Sequence, residues 1–155
     1  MNVELLVRHA TNEDIEAIVR IERAANEAPH WEQAQYPAIL QQEGRRVLLV
    51  AVAEGQVVGF VVAAVLLEEA ELENIAVDAA FRRCGVGKAL LDAAMVWAVE
   101  HGSELMRLEV RAGNKAAQGL YRGLGFVQNG VRQGYYTEPI EDAAVMSLSL
   151  SAQPD

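Results

Sequence analysis

The chain has 155 residues, 52% of them apolar, so one domain can bury its own core without a metal or disulfide. Twenty-two acidic against 13 basic side chains give a formal charge of -9, which disfavours the broad basic surface of a duplex-DNA binder. One cysteine, Cys84, excludes an intrachain disulfide and a four-cysteine zinc site. No apolar run reaches the roughly 20 residues that cross a bilayer, so no membrane partner is expected. The start, MNVELLVRHA, lacks the basic head and apolar stretch of a signal peptide. The expected setting is the cytoplasm. Residues 1–72 hold 5 basic and 12 acidic side chains, whereas 73–155 hold 8 and 10. The acidic half suits a basic peptide or ribosomal partner, or is a solvated face that binds nothing.

Val3 to His9 reads as a first strand. Thr11 and Asp14 form a T-x-x-D start signal for a helix carrying Ile15, Ile18 and Val19, which fades near Asn26. Pro29, His30 and Trp31 mark a break, and a short helix from Glu32 to Gln42 must keep Pro37 in its first turn. Arg46–Ala53 and Gln56–Leu67 are valine-rich strands around a Glu54-Gly55 turn. Glu68–Glu71 reads as a polar turn before a strand from Leu72 to Val77. A basic glycine loop, Arg82 to Gly87, opens a helix carrying Leu90, Leu91, Ala94, Met95 and Ala98, which Gly102 ends. Leu105–Val110 is a strand and Asn114–Arg122 a helix closed by Gly123 and Gly125. Phe126-Val127 and Ala143–Leu150 are closing strands, and 151–155 a flexible tail. The order predicts an α/β fold: one domain over 1–150, a mixed sheet with helices on both faces, and no internal repeat.

The chemistry concentrates in Arg82, Arg83, Cys84, Gly85, Val86, Gly87 and Lys88. A strand, a glycine loop and a helix start in succession place backbone N–H groups in one concavity. The helix terminus adds positive potential, as an anion such as a diphosphate requires. The alternative is a surface turn that happens to hold two glycines. Neither G-x-x-x-x-G-K-[ST] nor the full G-x-G-x-x-G is present.

This loop resembles the acyl-CoA-binding motif [R/Q]-x-x-G-x-[G/A] of the GCN5-related N-acetyltransferase (GNAT) superfamily. Leu72-Glu73-Asn74-Ile75-Ala76-Val77-Asp78 is similar to that family's fourth strand, and Leu108 to Asn114 to its fifth strand and following loop. Ala117-Gln118-Gly119-Leu120-Tyr121-Arg122-Gly123-Leu124-Gly125-Phe126 is similar to its A-x-x-x-Y-x-x-x-G-F segment. The four motifs stand in the family's order, and the likeness spans nearly the whole chain. A narrower resemblance, carried by Asn74–Val77, Leu108–Arg111, Tyr135-Tyr136 and Asp142–Met146, is to RimI-type ribosomal-protein alanine N-acetyltransferases. Two departures stand out. His30 separates the proline and tryptophan of that type's P-W segment, and Gly113 stands where a small polar residue is commoner.

The resemblance implies a sheet of about seven strands whose fourth and fifth members splay apart. It implies acetyl-CoA as cosubstrate, bound by the backbone of Ile75, Ala76 and Val77, by the glycine loop, and by Asn114, which also reads as a helix N-cap. It implies direct acetyl transfer to an amine in a ternary complex. Tyr121 is then the general acid, since a phenol with a pKa near 10 stays protonated beside a thiol near 8.5. A packed core tyrosine is its plain alternative. Glu109 and Glu73 compete as base, and strand alternation does not choose between them. A bound water is the third option, because roughly a tenth of an α-amine with a pKa near 8 is already neutral at pH 7. Trp31, Tyr135, Tyr136 and Glu73 are expected to line an acceptor groove. Arg111 has two readings, a contact to bound ligands or a surface ion pair. Cys84 has no histidine nearby in sequence and is not expected to be a nucleophile. His9, His30 and His101 lack metal-ligand spacing, so no metal is expected.

The implied acceptor is a protein or peptide N-terminus, first of all a ribosomal protein's alanine, with no direct nucleic-acid contact and a monomeric or homodimeric enzyme. A small-molecule or polyamine acetyltransferase and a non-catalytic acyl-CoA-binding module are the alternatives.

Overall fold

The computed structural model describes residues 4–25 and 30–150. The expected strand start at Val3, the helix end near Asn26, the break at Pro29 and the tail 151–155 lie outside the described residues.

The strands are β1 (Leu6–His9), β2 (Arg46–Ala53), β3 (Gln56–Leu66), β4 (Glu69–Val77), β5 (Leu105–Arg111), β6 (Val127–Tyr136) and β7 (Glu141–Ser149). The helices are α1 (Ile15–Ala24), α2 (Gln35–Ile39), α3 (Val86–Glu100) and α4 (Lys115–Gly123). One seven-stranded sheet runs in the order β1-β2-β3-β4-β5-β7-β6. Its one parallel pair is β4 with β5, and α3 makes the crossover between them.

Alternation divides each central strand between two cores. Val47, Leu49, Ala51 and Ala53 of β2 join the core under α3 with Leu90, Leu91, Ala94 and Tyr121. Leu48 and Val50 of the same strand pack against Ile18, Ile21, Tyr36 and Ile39 of α1 and α2. Gly59 seats α3 on β3: a Cβ there would stand 2.9 Å from Val86 Cγ1 and 3.1 Å from Leu90 Cδ1.

The T-x-x-D signal forms as expected. Thr11 N–H donates to Asp14 Oδ2 at 2.8 Å, and Glu13 N–H donates to Thr11 Oγ1 at 3.3 Å. Pro37 is the third residue of α2, in the first turn, where no intrahelical N–H is needed. The remaining helix is shorter than Glu32–Gln42.

Two expectations are corrected. Glu68–Glu71 is not a turn: β4 starts at Glu69, and the reversal is Leu67-Glu68, with Leu67 at φ 58°. Ala70 and Leu72 are buried between half-buried or exposed glutamates, so the segment alternates as a strand. The sixth strand is not the dipeptide Phe126-Val127 but ten residues, Val127–Tyr136. It is an edge strand held by pairing with β7 rather than by apolar burial, so its polar side chains carry no strand signal.

Candidate functional site

β4 and β5 pair over three rungs only, Glu69–Leu105, Ala70–Met106 and Glu71–Arg107. Beyond them the strands diverge. Ile75, Ala76 and Val77 remain paired to Val61, Phe60 and Gly59 of β3, and have no ladder partner on the β5 side. Their backbone lines the cleft expected between the fourth and fifth strands.

A β-bulge at Glu73 shapes this cleft, since Val62 pairs with Asn74 while its neighbour Ala63 pairs with Leu72. The extra residue reverses the alternation. Before it, Ala70 and Leu72 face the α3 core; after it, Ile75 and Val77 do, and Ala76 faces the α1–α2 core.

The glycine loop lies at the mouth of the cleft. Gly85 caps α3 at φ 82° without a side-chain hydrogen bond, leaving the first-turn amides of α3 without intrahelical partners. Arg83 also has a left-handed backbone, φ 63°. Arg82 and Arg83 are exposed and make no ion pair among the described residues. Lys88 pairs with Asp92 one turn along, at 2.8 Å. Gly87 lets α4 approach, since a Cβ there would meet Leu120 Cδ2 at 3.3 Å. Val86 is buried under the loop. The Cys84 thiol is half-buried and points its sulfur to the Arg82 carbonyl at 3.7 Å, with no base in contact.

Tyr121 projects from α4 into the α3-side core, 6% exposed, with its ring 5.8 Å from that of Phe126. Its hydroxyl makes no hydrogen bond to a described residue. Burial pushes the phenol up to about 12. Asn114 caps α4, its Oδ1 accepting from Ala117 N–H at 3.1 Å. Gln118 was not anticipated. It is 2% exposed and donates from Nε2 to the carbonyls of Arg111 and Ala112, at 3.0 and 2.9 Å, tying α4 to the end of β5.

The opposite face of the sheet carries charge. Leu108 and Val110 face α3, so Glu109 between them projects to the other side. Glu73 is there too, held by Arg46 Nε and Nη2 at 3.0 and 2.6 Å, with the Arg46 guanidinium 5.8 Å from the Trp31 ring. Glu109 is held by Arg132 Nε through Oε2 at 3.1 Å. A third carboxylate, Glu71, is raised above the usual range by burial first, then by Glu109 and Glu73, with Arg107 and Arg132 opposing. Sequence reasoning placed Glu71 in a turn and so missed it; it also missed Arg46 and Arg132, whose partners are distant in the chain.

Tyr135 and Tyr136 stand beside this cluster, their rings 5.0 Å apart and edge to face. Burial raises both phenols, and Glu109 raises them further. Tyr135 and Tyr121 raise the Tyr136 phenol as well, and Arg111 opposes. Arg111 lies 4.4 Å from the Tyr136 ring centroid and pairs with Glu141 at 3.2 Å, so the ion-pair reading holds for it. The unusual Gly113 is explained by the same carboxylate. Its N–H donates to Glu141 Oε2 at 2.6 Å, and a Cβ there would stand 2.7 Å from that oxygen.

Among the described residues no group of three or more histidine, cysteine, aspartate or glutamate side chains is placed to hold a metal, and no helix is long and apolar enough to cross a membrane.

Residues 12–126 match the model of the acetyltransferase (GNAT) family. The chain is 37% identical over 141 residues to the [ribosomal protein bS18]-alanine N-acetyltransferase of Escherichia coli K12, covering 89% of this chain and 93% of that one. The crystal structure of the ribosomal-protein-S18-alanine N-acetyltransferase from Escherichia coli superposes with a TM-score of 0.85 and 33% identity, over 98% of this chain and 97% of that one. A Salmonella typhimurium protein solved with its cofactor acetyl-CoA shares the fold, with a TM-score of 0.82 and 22% identity over 98% of each chain. With the splayed parallel strand pair, the glycine loop at a helix start and a family model spanning most of its length, this chain belongs to the acetyltransferase (GNAT) family of enzymes.

Proposed function

We propose that this protein transfers the acetyl group of acetyl-CoA to the N-terminal alanine of ribosomal protein bS18, in the cytoplasm. The observation that carries this reading is the 37% identity, over nine-tenths of the chain, to an enzyme named for that reaction.

The cleft fits the cosubstrate. A side-chain-free cap at Gly85, a left-handed backbone at Arg83 and unpaired guanidinium groups on Arg82 and Arg83 form a cradle for a diphosphate. The unpaired β4 edge over Ile75, Ala76 and Val77 offers backbone donors and acceptors to an amide-containing arm. The resemblance to the family adds Asn114 and Tyr121 as further contacts to the cosubstrate. When bound, acetyl-CoA supplies the acetyl group already activated as a thioester.

The protein's own groups then divide the work. Glu109 takes the proton of the acceptor's α-ammonium, directly or through one water. Tyr121 keeps its proton at Oη at every working pH, because burial holds the phenol near 12, and serves as a donor to developing negative charge. Both glutamates are held by an arginine through one oxygen, and Glu109 is taken as base on the resemblance of its strand to the RimI type, with Glu73 orienting Arg46 and Trp31. Tyr135, Tyr136 and Trp31 form the apolar walls on which the peptide's first residues lie.

The test is direct. Purified protein is mixed with acetyl-CoA and a panel of alanine-starting peptides, internal-lysine peptides and polyamines, and thiol release and product mass are both read. Acetylation at the alanine α-amine is the expected result. Transfer confined to lysines or polyamines overturns the acceptor assignment.

A further inference from the structure

Arg132 has an unusual set of partners. It lies on the edge strand β6, at the point where pairing with β7 becomes irregular between Arg132 and Tyr136. Its side chain is 53% exposed, so packing does little to hold it. The contacts it makes are to acceptor-face groups: Nε donates to Glu109 Oε2 at 3.1 Å, and the guanidinium lies 5.8 Å from the Tyr135 ring centroid. The Glu109 side chain is only 9% exposed, and its Oε1 accepts no hydrogen bond from a described residue.

The charges around Glu109 show why such a partner is needed. From β4 it faces the carboxylate of Glu71. From β6 it faces Arg132, Tyr135 and Tyr136. On its own strand Arg107 pairs with Glu69 and Arg111 with Glu141, while β7 presents Val145 opposite Glu109. Arg46 is committed to Glu73. Among the described residues Arg132 is therefore the cation in direct contact with Glu109, a nearly buried carboxylate beside Glu71.

We propose that Arg132 is a positioning residue for the acetyl transfer: by holding Oε2 it fixes the Glu109 carboxylate in place and leaves Oε1 available to the acceptor amine. The contact sets which oxygen works. This rests on Glu109 being the base of the proposed reaction. An arginine on the surface of β6 that served only stability would change the melting temperature and would not act through Glu109.

Steady-state kinetics of R132Q and R132K with an alanine-starting peptide separate these roles, with melting temperature and acetyl-CoA affinity read on the same samples. R132Q is expected to lower kcat several-fold while melting temperature and acetyl-CoA affinity stay near the parent's, and R132K, which keeps a donor for Oε2, is expected to recover most of the loss. In the E109Q background R132Q should add no further loss. An unchanged kcat in R132Q overturns the proposal. So does a loss that lysine does not relieve or that persists in full in E109Q. If the parent enzyme acetylates no alanine peptide, the proposed acceptor falls, and the same comparison on the amine it does acetylate decides whether Arg132 acts through Glu109.

Discussion

The Tyr36 hydroxyl of α2 donates a hydrogen bond to Glu22 Oε2 of α1, and both residues have no exposed surface. The carboxylate also accepts from the Trp31 N–H at 2.9 Å and from Arg23 Nε at 3.0 Å, and the Tyr36 oxygen accepts from Asn74 Nδ2 at 3.2 Å. Burial first, then the Glu22 carboxylate, push the Tyr36 phenol far above its ordinary range. One buried carboxylate thus fixes α1, Trp31 and α2 against the strand that lines the cleft. Glu22→Ala leaves the Trp31 amide and the Tyr36 hydroxyl without their acceptor and is expected to cost about 3–5 kcal/mol in urea unfolding. Tyr36→Phe removes one bond of the set and is expected to cost about 1–2 kcal/mol.

Tyr121→Phe separates catalysis from packing. The hydroxyl has no hydrogen-bond partner among the described residues, so the melting temperature should change by no more than a degree or two. Acetyl-CoA affinity, measured by calorimetry, should be retained, while turnover falls about 100-fold. Unchanged turnover removes Tyr121 from the chemistry.

Glu109→Gln and Glu73→Gln should part in their pH dependence. The α-amine is mostly protonated below pH 8, so loss of a base is felt most at low pH. Glu109→Gln is expected to lower kcat/KM by about 100-fold near pH 6.5 and by less near pH 9. Glu73→Gln loosens Arg46 beneath Trp31 and is expected to raise KM for the peptide several-fold with no change in profile shape. A matched pair of pH–rate curves checks both.

Gly113→Ala places a methyl group 2.7 Å from Glu141 Oε2, the end of a flexible side chain that can turn aside at the loss of its bond from the Gly113 N–H. The expected cost is that of one hydrogen bond, about 0.5–1.5 kcal/mol by thermal or urea unfolding.

Asp14 gives a stability prediction with a definite sign. Its carboxyl is held below the usual range by the hydrogen bond from Arg8 first, against burial, with the Thr11 amide adding to the effect. A carboxyl lowered in the folded state stabilises above its unfolded value near 3.9, and that stability is lost as pH falls through the lower folded value. Asp14→Asn should therefore cost about 1 kcal/mol at pH 7, and the deficit should shrink as pH drops below about 4. Arg8 is 41% exposed, so solvent screening discounts its hydrogen bond and the expected cost stays at about 1 kcal/mol. Melting curves at pH 7, 4 and 3 check the trend.

The parts legible from residues alone were those whose signal is local. The start of α1 is written in Thr11 and Asp14, because both capping bonds close within one turn. The glycine loop before α3 is written in Gly85 and Gly87, because backbone conformation and close approach are properties of those positions. β6 was not legible, since its polar, exposed residues become a strand only by pairing with β7. The run Glu69–Glu73 was misread because its glutamates resemble a turn, although Ala70 and Leu72 between them are buried.

Sequence by itself determined the family, the order of elements and the positions of the glycine loop, Glu109 and Tyr121. Tertiary structure alone decided how the charges divide. A single extra residue at Glu73 reverses the alternation of β4, which no reading of that strand in isolation reveals. Arg46 meets Glu73 across 27 residues and Arg132 meets Glu109 across 23, so which cation each glutamate meets depends on strand order. The reason is physical: a carboxylate's chemistry is set by the charges within a few ångströms of it, and the sheet, not the chain, chooses those neighbours.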